Sequence, residues 1–200
     1  LKNSLDPGAR VLEVGCGGGH TAGFMTSLGF KVTAVDFSSV AVGTARKNYP
    51  ECDFQVGDAM NLDFEDETFD AVVSIEMIEH LEDPQSHLSE IKRVLTSRGS
   101  YFIKTPNRFL HDIYYRKNEN IKQWHPSVMS TKQLADALAL AGFSANFVKM
   151  RRLPDYQVKK FLGRLGFIGS FAKPAIKALP MGLLPIWLQP SMIVVARKGN

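Results

Sequence analysis

Cysteine is scarce, with 2 residues in a chain of 200, Cys16 and Cys52. Neither has neighbours at metal-ligand spacing, and such a pair reads as reduced thiols of a cytoplasmic protein rather than as a disulfide framework. The 5 histidines, His20, His80, His87, His111 and His125, are equally dispersed, so no metal site is expected. The start lacks a signal-peptide pattern. Leu1 in place of Met is what a fragment, or a domain cut from a longer chain, would show. There is no internal repeat and no low-complexity tract. Residues 178–196 carry no charge, yet Pro180, Pro185 and Pro190 argue against a regular spanning helix there.

What is present suits one domain, 1–200, with a substantial core: 44% of the residues are hydrophobic. Charge is split along the chain. Residues 1–90 carry 5 Lys/Arg against 16 Asp/Glu, and residues 91–200 carry 19 against 4. An acidic half favours a cationic ligand, and a basic half favours anionic substrates or surfaces. Two solvated faces of one globule would read the same way.

The organising stretch is Arg10 to His20, Arg-Val-Leu-Glu-Val-Gly-Cys-Gly-Gly-Gly-His. Val11, Leu12 and Val14 read as a buried strand of a parallel sheet. Four glycines in five residues then give a tight turn that lets a ligand approach the main chain. His20 to Leu28 comes next, with helical spacing. Strand, glycine turn and helix make a nucleotide-type cradle. Lys31 to Asp36 reads as a second strand, which puts Asp36 at the ligand crevice of a doubly wound sheet. A carboxylate there can accept from both ribose hydroxyls, or it can cap a helix. Ser38 or Ser39 is the better cap for Val40 to Asn48. Further strands are expected at Asp53 to Val56, ahead of Gly57-Asp58-Ala59-Met60, and at Phe69 to Ile75. Asp63 to Glu67 reads as a solvated acidic turn. A helix is expected over Ser86 to Leu95, a turn at Arg98-Gly99 and a strand over Ser100 to Thr105. Beyond these come a helix from Thr131 to Ala141, capped by Ser130, and strands at Phe143 to Met150 and Ser191 to Ala196.

The pattern Glu13-x-Gly15-x-Gly17-x-Gly19 resembles motif I of class I S-adenosylmethionine (SAM)-dependent methyltransferases. A dinucleotide fingerprint would need a third glycine where His20 stands. Glu76-Met-Ile-Glu-His-Leu81, Glu90-Ile-Lys-Arg-Val-Leu95 and Thr105-Pro-Asn-Arg108 resemble segments of ubiquinone-biosynthesis O-methyltransferases and related small-molecule enzymes. The resemblance implies a Rossmann-like α/β fold: a seven-stranded, mostly parallel sheet with an antiparallel last strand and helices on both faces. It implies SAM as cofactor and S-adenosylhomocysteine as product. Glu13, Gly15, Cys16, Gly17 and Gly19 would hold the methionine end, with Glu76 above it. Asp36 would hold the ribose, Phe37 and Ala59 would flank the adenine, and Asp58 would bond its amino group. The alternatives are an NAD-dependent oxidoreductase, against which the missing glycine counts, and a binding module that kept the fold and lost catalysis.

His80 falls where the methyl is carried, and imidazole can take a proton from a hydroxyl. The competing reading has Glu79 and His80 only holding the loop. The connection 107–129 holds Phe109, Tyr114, Tyr115, Trp124 and His125. It reads as a substrate wall for a small-molecule acceptor or as a short packed helix. Nucleic acid is not expected, because Asn107-Arg108 interrupts the Asn/Asp-Pro-Pro-Tyr-type signature. Segment 154–189 interleaves five Lys/Arg with Phe161, Leu162, Leu165, Phe167, Ile168 and Phe171. That composition fits peripheral contact with the inner face of a membrane, a lid over the site or a homodimer patch.

Overall fold

The computed structural model describes residues 4–115, 123–149, 185, 186 and 189–199, without the side chain of Tyr114. Segment 154–189 thus lies outside the described residues except for Pro185, Ile186 and Gln189.

The chain alternates strand and helix: β1 Arg10–Val14, α1 His20–Ser27, β2 Lys31–Asp36, α2 Ser39–Asn48, β3 Asp53–Val56 and β4 Phe69–Ile75. A 3-10 turn, Ile78–His80, precedes α3 Pro84–Val94 and β5 Leu95–Pro106. Then come α4 Arg108–Tyr115, α5 Thr131–Leu140, β6 Phe143–Val148 and β7 Ser191–Lys198. The seven strands form one sheet in the order β3-β2-β1-β4-β5-β7-β6. β1 to β5 pair in parallel, and β7 runs antiparallel between β5 and β6. The sequence order reverses between β1 and β4, and such a switch point opens a crevice at the strand C-termini.

The strands alternate between two cores, as a period of two requires of a sheet covered on both faces. Val11, Ala71 and Val73 face Ala22, Met25, Val42 and Ala45 on α1 and α2. Leu12, Val14 and Val72 face Leu88, Ile91 and Val94 on α3, with Leu134 and Leu138 on α5. Each helix start has a local reason. Ser38 Oγ accepts from Ala41 N–H, Asp83 accepts from Gln85 and Ser86 N–H, and Ser130 with Gln133 forms a capping box. Strand β6 stops at Val148, short of Met150, and β7 runs on past Ala196 to Lys198. The turn expected at Arg98-Gly99 is absent: β5 already starts at Leu95 and runs through it, and the register jumps from Phe69–Leu95 to Ala71–Ser100. The connection after β5 opens as the helix α4, the second of the two readings of that stretch.

Candidate active site

A cleft of about 460 Å³ lies at the ends of β1 to β4. Gly15, Asp36, Phe37, Asp58, Ala59, Glu76 and His80 all line it. Val14, Val35, Gly57, Met60, Met77, Leu81 and Glu82 line it too, and sequence reasoning misses them because they flank the motif positions without a chemical signature of their own.

Backbone conformation shapes the cradle. Gly15 has φ +80°, and a Cβ there would overlap the Met77 side chain. Gly19 has φ +83°, and its Cβ would meet Phe54 and Ala45 at 2.8 and 2.9 Å. Asp36 ties the cradle to the next loop: Oδ2 accepts from Gly17 N–H (2.8 Å) and Oδ1 from Ser38 N–H (2.9 Å). Each oxygen keeps a further lone pair for a ligand. Glu76 has φ +52°, unusual for a side-chain-bearing residue, and pairs with Lys104 at 2.6 Å.

Four motif residues do not line the cleft. Glu13 shares the period-two face of Val11, so its carboxylate sits beneath the glycine turn beside the start of α1. Burial pushes it up to about 7, the Thr21 hydroxyl and Ala22 N–H pull the other way, and Oε2 has no hydrogen-bond partner. Cys16 is buried, and burial beside Glu13 and Asp36 pushes its thiol up to about 12, which leaves it inert as a nucleophile. Gly17 and Gly19 act through backbone shape. These four set the cradle from behind.

The Glu79–His80 pair divides its roles. Glu79 is buried and its Oε2 accepts from Thr105 Oγ1 (2.9 Å), while its own carbonyl accepts from Ser127 N–H (3.1 Å). Desolvation and the Glu76 carboxylate push the Glu79 carboxyl up to about 7. His80 faces the cleft, with Nδ1 2.7 Å from the Trp124 carbonyl oxygen. A carbonyl only accepts, so Nδ1 carries the proton and Nε2 the lone pair.

A second cavity, of about 490 Å³, lies beyond His80. Arg108, His111, Asp112 and Tyr115 line it from α4 at spacing i, i+3, i+4, i+7, opposite His125, Pro126 and Val128. Tyr115 and His125 therefore belong to a wall. Phe109 and Trp124 do not: Phe109 falls on the outer face of α4 with Ile113, and the Trp124 side chain is 72% exposed. Trp124 contributes its carbonyl instead. The His125 ring bridges the two cavities, edge-on to His80 at 4.6 Å and 5.2 Å from His111, whose Nε2 is 2.9 Å from His125 Nδ1. Sequence spacing gives no hint of this ladder, because it joins three separate segments.

The donor set tests the cofactor. Among the cleft's described lining residues are the carboxylates Asp36, Asp58, Glu76 and Glu82, and no Lys or Arg. That lining suits a ligand carrying a sulfonium and an ammonium, and it repels a pyrophosphate.

A methyltransferase-domain family matches residues 12–103. A Mycolicibacterium smegmatis protein named "Probable S-adenosylmethionine-dependent methyltransferase" is 32% identical over 136 residues, 68% of this chain and 52% of that protein. A ubiquinone biosynthesis O-methyltransferase of Xanthomonas campestris pv. campestris is 39% identical over 107 residues, 51% of this chain and 45% of the relative. The chain spans about half the length of these curated relatives. Among solved structures, the Bacillus protein YcgJ superposes with TM-score 0.71 at 19% identity, covering 100% of this chain and 96% of that one. The 4+2 cyclase SpnF gives 0.72 at 24%, covering 98% and 76%. These two show the fold. The sequence matches and the acid-lined crevice agree with it: residues 12–103 match a methyltransferase domain, and the chain is similar to proteins named S-adenosylmethionine-dependent methyltransferases.

Proposed function

We propose that this chain moves the methyl group of SAM to a hydroxyl of a small-molecule acceptor that enters from the cavity beyond His80. The observation that carries this reading is the position of His80 between the two cavities, with Nδ1 tied to a carbonyl and Nε2 left as the basic nitrogen. SAM, when bound, supplies an activated methyl group and leaves as S-adenosylhomocysteine. The chain's own work is to hold and to deprotonate. Asp36 holds the ribose hydroxyls, Asp58 the adenine amino group, and Phe37, 84% exposed at the rim, covers the adenine face. Glu76 stands at the methionine end. His80 Nε2 takes the acceptor's O–H proton as the oxygen gains the methyl. Such a base contributes roughly 10²–10⁴-fold, and alignment of the reactants supplies the rest. The O-methyltransferase name of the Xanthomonas relative supports a hydroxyl acceptor.

The test is methyl transfer from labelled SAM across a panel of small phenols and other hydroxylated acceptors. Transfer by the wild-type chain that falls at least about 100-fold in His80→Ala supports the reading. Equal turnover in the two proteins leaves proximity alone in charge. A chain that binds SAM and methylates nothing is a binding module.

Among the described residues no helix is long and apolar enough to cross a membrane. The cations interleaved with apolar side chains in 154–189 support a peripheral contact with anionic membrane. Co-sedimentation with anionic vesicles that weakens in salt tests it, and no binding at low salt contradicts it.

A further inference from the structure

His87 is fully buried in α3, outside the cleft, and the reaction makes no use of it. Its bonds can be assigned without ambiguity. Nδ1 lies 2.9 Å from the Ala59 carbonyl oxygen, which only accepts, so Nδ1 carries the proton. Nε2 must then accept, and the Tyr101 hydroxyl, 2.9 Å away, donates to it. Tyr101 Oη in turn accepts from Ser74 Oγ at 2.6 Å. Strands β4 and β5 thus fix one tautomer of a helix side chain, and that tautomer holds the carbonyl next to Asp58.

The same helix clamps the rest of this loop. Glu90 Oε2 accepts from Leu62 N–H (2.8 Å), and Arg93 donates to the carbonyls of Leu62 (2.8 Å) and Phe64 (2.6 Å). His87, Glu90 and Arg93 recur every three residues, one per turn. On the cleft side the loop is held by its own backbone: Met60 N–H donates to Asp58 Oδ1 (2.8 Å), Asn61 N–H to the Asp58 carbonyl (3.1 Å) and Gly57 N–H to the Asp36 carbonyl (3.1 Å). Burial holds the His87 imidazole down at about 4, so it stays neutral and its tautomer persists near neutral pH.

We propose that His87 is a positioning residue for cofactor recognition: through Ala59 it sets where the Asp58 carboxylate meets the adenine edge, and so sets the preference for a 6-amino purine. This rests on the placement of Asp58 at the adenine. Asp58 accepts from an amino group, whereas a hypoxanthine presents a carbonyl oxygen there and is repelled.

The experiment is calorimetric titration of the 200-residue chain with S-adenosylhomocysteine and with S-inosylhomocysteine. The wild-type chain should prefer the adenosyl form by about tenfold or more, the scale of one hydrogen bond to a charged group. His87→Gln puts its amide where Nε2 lies, which serves Tyr101 but not Ala59, and the preference should fall below about threefold. His87→Asn puts an N–H where Nδ1 lies and should keep most of the preference, although it leaves Tyr101 unserved and unfolds more easily. Loss of packing alone would weaken both ligands together and leave their ratio unchanged. His87→Leu removes the donor to the Ala59 carbonyl while keeping apolar bulk, and it carries the test if His87→Gln does not fold: a lowered preference supports the proposal, an unchanged one overturns it. A wild-type preference retained in full by His87→Gln also overturns it, as does equal loss in the Asn and Gln variants. No preference in the wild-type chain removes Asp58 from the adenine, and the reading beneath the proposal falls with it.

Discussion

The two cavities linked by the His80–His125 contact are built in different ways. The cofactor cleft is made from strand ends and backbone: a glycine turn, one carboxylate at the end of β2 and another after β3, each tied by main-chain N–H groups. The cavity beyond it is made from side chains on α4 and on the segment after it. Strand ends keep their positions because the sheet fixes them. A helix face can change its residues without disturbing the sheet. On the proposed reading the cofactor is held by the strand ends and the acceptor by a helix face.

That contrast can be broken at several points. The largest effect is expected at the turn. Gly15→Val must leave φ +80° and displace Met77, so SAM and S-adenosylhomocysteine binding should vanish from calorimetry. Retained binding would show that the turn is not the cradle. Next comes His80→Ala, where turnover falls about 100-fold or more while cofactor binding stays.

A pH prediction separates the buried carboxylates from those of the cleft. Glu13 is raised from 4.5 to about 7 by burial, so the folded chain holds this proton more tightly than the unfolded one. Its contribution is therefore full below pH about 4.5 and is lost as pH rises through 7. Glu13→Gln fixes the neutral form. In urea unfolding it should gain on the order of 2–3 kcal/mol over wild type at pH 8, a difference that closes toward pH 4. A difference that grows toward low pH would show that Glu13 is ionised when folded. The smallest effect is expected at the rim: Phe37→Ala should weaken S-adenosylhomocysteine by about 0.5–1.5 kcal/mol, the range for a stacked aromatic.

The same contrast explains which parts can be read from the sequence. Strands β1 to β4, Asp36, Asp58 and the glycines are legible because a buried parallel strand is a continuous apolar run and the residues after it must turn at the crevice. The motif assigns Glu13 to the ligand, but its place behind the turn emerges only from counting faces along β1. On the acceptor side, residue type misleads. Phe109 and Trp124 suggest a wall, yet the helical spacing of α4 selects Arg108, His111, Asp112 and Tyr115. The acidic turn after Met60 reads as solvent-facing, and Asp66 is indeed 73% exposed, but it pairs with Arg93 at 2.9 Å, as part of a clamp that only the packing of α3 reveals. The His80–His125–His111 contact joins the turn after β4 to α4 and to the segment after it, a juxtaposition no local pattern encodes.

The most direct test of the division between a cofactor half made of strand ends and an acceptor half made of a helix face is one titration of S-adenosylhomocysteine into three proteins. Asp36→Ala should bind weaker than wild type by about 1–3 kcal/mol, the loss of hydrogen bonds to a charged group. His80→Ala should bind as wild type does. The reverse pattern, with His80→Ala weakened and Asp36→Ala unchanged, would contradict the account, because the cofactor would then lie on the histidine side of the cleft.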